Sequence, residues 1–188
     1  MALITYDMFG SKTDKVARAL QVYRTFEPPE GYYLTYSGGK DSTVSLALAR
    51  MAGVKFDLHY NVTTVDPAEL VRFIISQFDT VIYDMPDGTS KYYTTRHRGK
   101  LLSRIAEHEA YGEIIHFSIP QMTMRELVVH KQFPPTRLQR YCCEALKETN
   151  GEGRKVVTGV RWAESRNRKD NQGLVTIFFD NDFMRFAE

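Results

Sequence analysis

The chain has 188 residues, 43% of them hydrophobic and 26% charged, enough for one well-buried domain and too few for two. A formal net charge of +2 gives no case for a general nucleic-acid binder, although a local basic patch can hide in the total, and it leaves the partner class to motifs. No run of about 18 apolar residues is present to cross a bilayer, and Met1 to Asp7 lacks a basic-then-apolar leader, so a cytoplasmic protein with no membrane partner is expected.

Between Ser11 and Glu27, apolar side chains at Val16, Leu20, Tyr23 and Phe26 fall three and four apart, the spacing of one helix face, and Pro28 and Pro29 end it. Gly31 to Tyr36 reads as a short aromatic strand. A glycine-rich loop follows, then a buried helix carried by Val44, Leu46, Ala47, Leu48 and Met51 that stops at Gly53. Val54 to Tyr60 reads as a second strand. Asp66 is a capping acid before Pro67 at the first helical position, and that helix runs to about Gln77. Thr80 to Tyr83 is a third strand, so strand and helix alternate as in a parallel sheet with covered faces. The text then loosens, with helices expected from about Lys91 to Ala110 and from Thr123 to His130. Arg154 to Val160 and Leu174 to Phe179 read as the fourth and fifth strands. The expected fold is one α/β domain over residues 1–188, a Rossmann-like, doubly wound, mainly parallel five-stranded sheet with helices on both faces. Phe183 to Glu188 offers no obvious closing element, so a truncation or a missing partner is expected there.

The loop Ser37-Gly38-Gly39-Lys40-Asp41-Ser42-Thr43 joins a strand to a helix. Adjacent glycines let the backbone approach a polyphosphate and aim amide N–H groups at it, and the helix N-terminus adds partial positive charge. Ser37, Ser42 and Thr43 offer hydroxyl donors, Lys40 offsets phosphate charge, and Asp41 suits a magnesium ion bridging phosphate oxygens. A simple capped turn needs neither the lysine nor the hydroxyls. The spacing fits neither the phosphate loop with four residues before Gly-Lys nor a dinucleotide-binding Gly-x-Gly-x-x-Gly.

Ser37 to Ser42 resembles the pyrophosphate loop of the ATP-pyrophosphatase superfamily (adenine nucleotide alpha hydrolase-like), and three further blocks resemble its phosphoadenosine-phosphosulfate reductase branch. Asn61-Val62-Thr63-Thr64-Val65-Asp66-Pro67 is similar to the segment that holds the adenosine, with Thr64 where the family commonly has glycine. Arg140-Tyr141-Cys142-Cys143-Glu144-Ala145-Leu146-Lys147 is similar to the branch's Arg-x-Cys-Cys-x-x-Leu-Lys. Gly159-Val160-Arg161-Trp162-Ala163-Glu164-Ser165, with Arg166 and Arg168, is similar to its Gly-x-Arg-x-x-Glu-Ser-x-x-Arg. The resemblance implies ATP or a sulfonucleotide as ligand, with Asn61, Thr63, Arg140, Lys147, Gly159, Arg161, Glu164, Ser165 and Arg168 around it. It also implies Lys40 and Arg161 as the groups that neutralise charge during reaction, with Asp41 holding the magnesium ion that assists them.

Cys142 and Cys143 are the only cysteines and are adjacent, so they form no secreted-type disulfide framework. Cations at Arg137, Arg140 and Lys147 are of the kind that lower a thiol pKa. In part of the family such a pair gives half the ligands of an iron–sulfur cluster, but no second Cys-x-x-Cys is present here, so four ligands from this chain alone are excluded. Members of the branch without a cluster rely on a cysteine near the C-terminus to attack the sulfur, and no cysteine follows Cys143, so sulfonucleotide reduction by this chain alone is not expected. An adenylating enzyme and a nucleotide-binding subunit serving a protein partner or a second copy, for example in nucleic-acid sulfur modification, both remain open. The five histidines show no two-ligand spacing in sequence, and a zinc site is not expected. Arg96, Lys100 and Arg104 read as a solvated helical stripe, and Trp162, Tyr92 and Tyr93 carry no assigned role.

Overall fold

The computed structural model describes residues 4–6, 12–94, 114–148, 150–151, 153–159, 175–178 and 183–186. Strands β1 (Ile4–Tyr6) and β2 (Lys12–Asp14) form a small antiparallel ribbon. Helix α1 (Lys15–Thr25) starts four residues later than the periodicity suggested, because the Asp14 carboxylate accepts hydrogen bonds from the N–H groups of Val16 and Ala17 at 3.0 and 3.3 Å. The chain continues through β3 (Tyr32–Thr35), α2 (Lys40–Ala52), β4 (Phe56–Asn61), α3 (Ala68–Gln77) and β5 (Thr80–Asp84). Then come β6 (Ser90–Thr94), β7 (Ile114–Ser118), α4 (Met124–Lys131), a short α5 (Tyr141–Cys143) running into a π turn (Glu144–Glu148), and β8 (Lys155–Val157), β9 (Val175–Phe178) and β10 (Phe183–Phe186).

The main sheet has eight strands in the order β6-β5-β7-β4-β3-β8-β10-β9. The six from β5 to β10 in that order are parallel neighbours, and β6 and β9 close the edges antiparallel. The fold is thus α/β and Rossmann-like with a mostly parallel sheet, and the expected five strands are corrected upward. Residues Lys91 to Thr94, expected as helix, belong to β6. The turn Asp87-Gly88 reverses the chain, with the Asp87 carboxylate accepting from the Thr89 N–H at 2.9 Å, and an Asp-Gly turn favours a hairpin. The rest of that predicted helix lies outside the described residues. Strand β7 was missed, although Ile114 to Phe117 is an apolar run broken only by His116. The segment Phe183 to Phe186, read as having no closing role, pairs with both β8 and β9.

The register separates the two faces of the sheet. Tyr32, Leu34, Phe56, Leu58, Tyr60, Val81, Ile115, Phe117 and Val157 share one face and enter a core with residues of α1, α2 and α3. Arg24 Nε donates to the Ala52 carbonyl at 3.0 Å, and Tyr23 Oη to the Ser45 carbonyl at 3.2 Å, tying α1 to α2. The opposite face carries Tyr33, Thr35, Asp57, His59, Asn61, His116, Ser118 and Asp84, an unusually polar set for a parallel sheet. Among the described residues the chain from the π turn to β8 meets that face. Asn61 Nδ2 donates to the Lys147 carbonyl at 3.0 Å, and Asn150 Nδ2 to Asn61 Oδ1 at 3.1 Å. Among the described residues no helix is long and apolar enough to cross a membrane.

Candidate functional site

The chain leaves β3, moves outward through α2 to β4 on one side, and later returns to place β8 on the other side of β3. The carboxyl ends of β3 and β8 therefore flank the point where strand order reverses, the position at which open α/β sheets leave a crevice. Both connecting segments singled out in the sequence emerge there. Thr35 Oγ1 donates to the Val157 carbonyl at 3.0 Å and holds the two strand ends together.

The loop geometry follows from its residue types. Gly38 is left-handed at φ +71°, which turns the chain back toward the sheet, and Gly39 is the extended residue that opens α2. The Thr43 N–H makes the first helical bond to the Gly39 carbonyl at 3.0 Å, so the N–H groups of the preceding first turn lack intrahelical acceptors. The hydroxyls were expected to face phosphate. Instead Ser42 Oγ donates to the Gly39 carbonyl at 2.9 Å, and so does Thr43 Oγ1 at 2.9 Å. A hydroxyl has one proton, so in the Ser37–Ser42 contact of 3.3 Å it is Ser37 that donates. The Ser37 N–H adds a further bond to Ser42 Oγ at 3.2 Å. These hydroxyls brace the loop, leaving Lys40 and the backbone amides as its means of meeting an anion. Lys40 is exposed and Asp41 half-buried in the first turn of α2.

Gly159, two residues beyond β8, abuts this turn. A Cβ built on it would lie 2.9 Å from the Asp41 carbonyl carbon and 3.1 Å from the Ser42 nitrogen. Two of the sequence blocks are thereby brought into contact. Arg161, Glu164, Ser165, Arg166, Arg168 and Trp162 lie outside the described residues, as do Arg96, Lys100 and Arg104.

The segment after β4 is braced by its own side chains. Asp66, expected to cap α3, instead accepts from the Thr63 N–H at 2.8 Å, and Pro67 occupies the cap position with no side-chain bond. Thr64, where the family resemblance has glycine, takes φ +65°, a conformation costly for a β-branched residue. Its hydroxyl accepts from the Met124 N–H at 2.8 Å, at the start of α4. Thr64→Val keeps the strain and loses the bond, worth about 1 kcal/mol, so its melting temperature is expected to fall by about 2–4 °C. Thr64→Gly loses the same bond but relieves the strain and should melt above Thr64→Val. Thermal unfolding of the two variants checks the order.

Arg140 Nη2 lies 3.3 Å from Cys143 Sγ, whereas partial burial, and then the neighbouring Cys143, push the Cys142 thiol above its ordinary value. The expected lowering does not hold for Cys142. Lys147 is exposed, and its backbone carbonyl meets Asn61.

A second cluster, absent from the sequence reading, lies on the polar face. The β4–β7 register sets His59 beside His116, with ring centroids 4.8 Å apart. Tyr33 stacks on the other side of His59 at 3.8 Å, and His116 Nδ1 meets Asp84 Oδ2 at 2.9 Å. Burial, and then His116, hold the His59 imidazole well below its usual range. Burial alone would raise Asp84, but the His116 contact and the Ser90 hydroxyl bring its carboxyl below the usual value. Burial likewise pushes the Tyr33 phenol up to about 12. No sequence spacing links these residues, since parallel strands bring them together from positions far apart in the chain.

No family model matches the sequence, and no curated protein was found to match it. Among solved structures, the phosphate complex of a phosphoadenylyl-sulfate (PAPS) reductase from Candida auris is similar at a TM-score of 0.49 and 11% identity, covering 92% of this chain and 70% of that chain.

Proposed function

We propose that this chain is an adenine-nucleotide-binding enzyme of the ATP-pyrophosphatase kind, which holds ATP or a sulfonucleotide at the loop Ser37 to Thr43. The observation that carries the reading is the placement of this loop, with Gly159 pressed against it, at the carboxyl ends of β3 and β8, where strand order reverses. In this reading the loop amides and the first turn of α2 face the phosphates, Lys40 neutralises their charge and Asp41 holds magnesium. Arg161, which follows Gly159 by two residues, supports the charge that builds on the reacting group, while Asn61 and Thr63 border the nucleoside. An oxygen nucleophile of the second substrate then attacks the α-phosphorus and pyrophosphate leaves. Positioning and charge neutralisation suffice for such a step. The sulfonucleotide variant uses the same loop.

A second reading, a subunit that presents the nucleotide to a protein partner carrying the sulfur chemistry, rests on Cys142 and Cys143 being the only cysteines of the sequence. Release of pyrophosphate on turnover separates the two.

Calorimetric titration with ATP and with adenosine 3′-phosphate 5′-phosphosulfate, with and without magnesium, tests the reading. Lys40→Ala is expected to weaken binding by about 10- to 100-fold, the worth of a charge-assisted contact. Unchanged affinity in that variant, or no binding of either nucleotide to the unaltered chain, would overturn it.

A further inference from the structure

The geometry points to a transition-metal site on the polar face of the sheet, formed by His59, His116 and Asp84 and suited to a divalent ion of the zinc class. One ligand atom from each of the three side chains lies within 4.8 Å of the others. They come from three adjacent strands, β4, β7 and β5, whose parallel register fixes their backbones relative to one another. Two imidazoles and one carboxylate form a donor set that favours zinc, cobalt, nickel or copper over magnesium, which prefers oxygen ligands and retains its waters.

The independent observation is His59 itself. It is 9% exposed, and neither ring nitrogen has a hydrogen-bond partner among the described residues. A buried imidazole left this way forfeits the hydrogen bonds it makes in water, a cost that protein interiors seldom leave unmet. A coordinate bond to a metal would satisfy the acceptor nitrogen, leaving only the N–H of the other. Its ring packs between Tyr33 and His116, so binding shifts a ring that is already ordered instead of freezing a free one. The site is reached from the Asp84 side, where the His116 and Asp84 side chains are 16% and 33% exposed.

In the loaded site the ion takes the place of the proton shared between His116 Nδ1 and Asp84 Oδ2. It draws a His59 nitrogen inward until each bond is about 2.0–2.2 Å. Three protein ligands leave a fourth tetrahedral position for water or an anionic group. The inference does not depend on nucleotide binding at the loop.

Calorimetric titration of the full chain with Zn2+, and cobalt substitution followed by visible absorption, test it. One equivalent of metal is expected per chain, with absorption bands of a low-symmetry cobalt site that lack sulfur charge transfer. His116→Gln and Asp84→Asn, both at partly exposed positions, are expected to weaken Zn2+ binding by about tenfold or more. His59→Gln should do the same if circular dichroism shows it folded. Cys142→Ser with Cys143→Ser, and Ser37→Ala with Asp41→Ala, are expected to bind Zn2+ as the unaltered chain does. Absence of stoichiometric binding, retention of full affinity in His116→Gln, or loss of binding in the cysteine or loop variants would each overturn the site.

Discussion

Gly159→Ala is expected to weaken nucleotide binding by about tenfold, or about 1.4 kcal/mol, because the added methyl has nowhere to go. Its Cβ would stand 2.9 Å from the Asp41 carbonyl carbon, 3.1 Å from the Asp41 oxygen and 3.1 Å from the Ser42 nitrogen. All three are backbone atoms of the first turn of α2, which cannot rotate aside as a side-chain tip can. Either that turn or the segment after β8 must shift by some tenths of an ångström, and such overpacking costs about 1–3 kcal/mol of stability. The same shift displaces the amides proposed to meet the phosphates. Gly153→Ala is the control, since Gly153 has φ +73° but nothing within 4 Å of the added carbon. It should lose stability through backbone strain and leave nucleotide affinity unchanged. Calorimetric titration and thermal unfolding of both variants check this, and equal nucleotide affinity in the two would remove the loop from the binding site.

Gly38→Ala is expected to be the most damaging single change in the loop itself. At φ +71° any residue with a Cβ incurs roughly 1–2 kcal/mol of strain. The methyl would also meet Leu70 Cδ1 at 3.0 Å and Ile74 Cγ1 at 3.1 Å. These are side-chain atoms of α3 and can yield in part, so backbone strain dominates. Relief of that strain comes by leaving the left-handed region, which opens the turn and breaks the brace of Ser37 on Ser42. A fall in melting temperature of about 2–8 °C follows from the strain alone, and nucleotide binding should be lost at concentrations that saturate the unaltered chain. Unfolding monitored by circular dichroism measures the first effect, and titration at a temperature where the variant is folded measures the second.

Much of the first half was legible because its signals are local. The strand at Tyr32 to Thr35, the glycine-rich loop, the helix ending at Gly53 and the helix ending at Gln77 each announce themselves within a few residues, through periodicity, glycine or a neighbouring proline. The helix at Met124 to Lys131 was equally readable from Thr123 and Glu126, which form a capping box. Reading failed where local signals compete. Lys91 to Thr94 precedes the basic stripe that carried the helical reading, but its Tyr92, Tyr93 and Thr94 are strand-type residues and follow an Asp-Gly turn that folds them onto β5. Ile114 to Ser118 is too short for its apolar run to distinguish strand from buried helix. Phe183 to Phe186 gains its partners only from β8 and β9.

Of the candidate site, the residue types and the strand-loop-helix context of Ser37 to Thr43 could be read directly, because strand, loop and helix follow one another within a few residues of the chain. What its hydroxyls do could not, since whether Ser42 donates outward or to the Gly39 carbonyl depends on torsions that composition leaves free. By itself the sequence determined an α/β chain with a glycine-rich loop between a strand and a helix, through patterns that repeat every two to four residues. Only the tertiary structure decided that Gly159 presses on Asp41 and that His59, His116 and Asp84 share one face of the sheet. Strand order and register set those contacts, and both arise from the packing of whole elements, so positions far apart in the chain become neighbours without leaving a mark on local sequence.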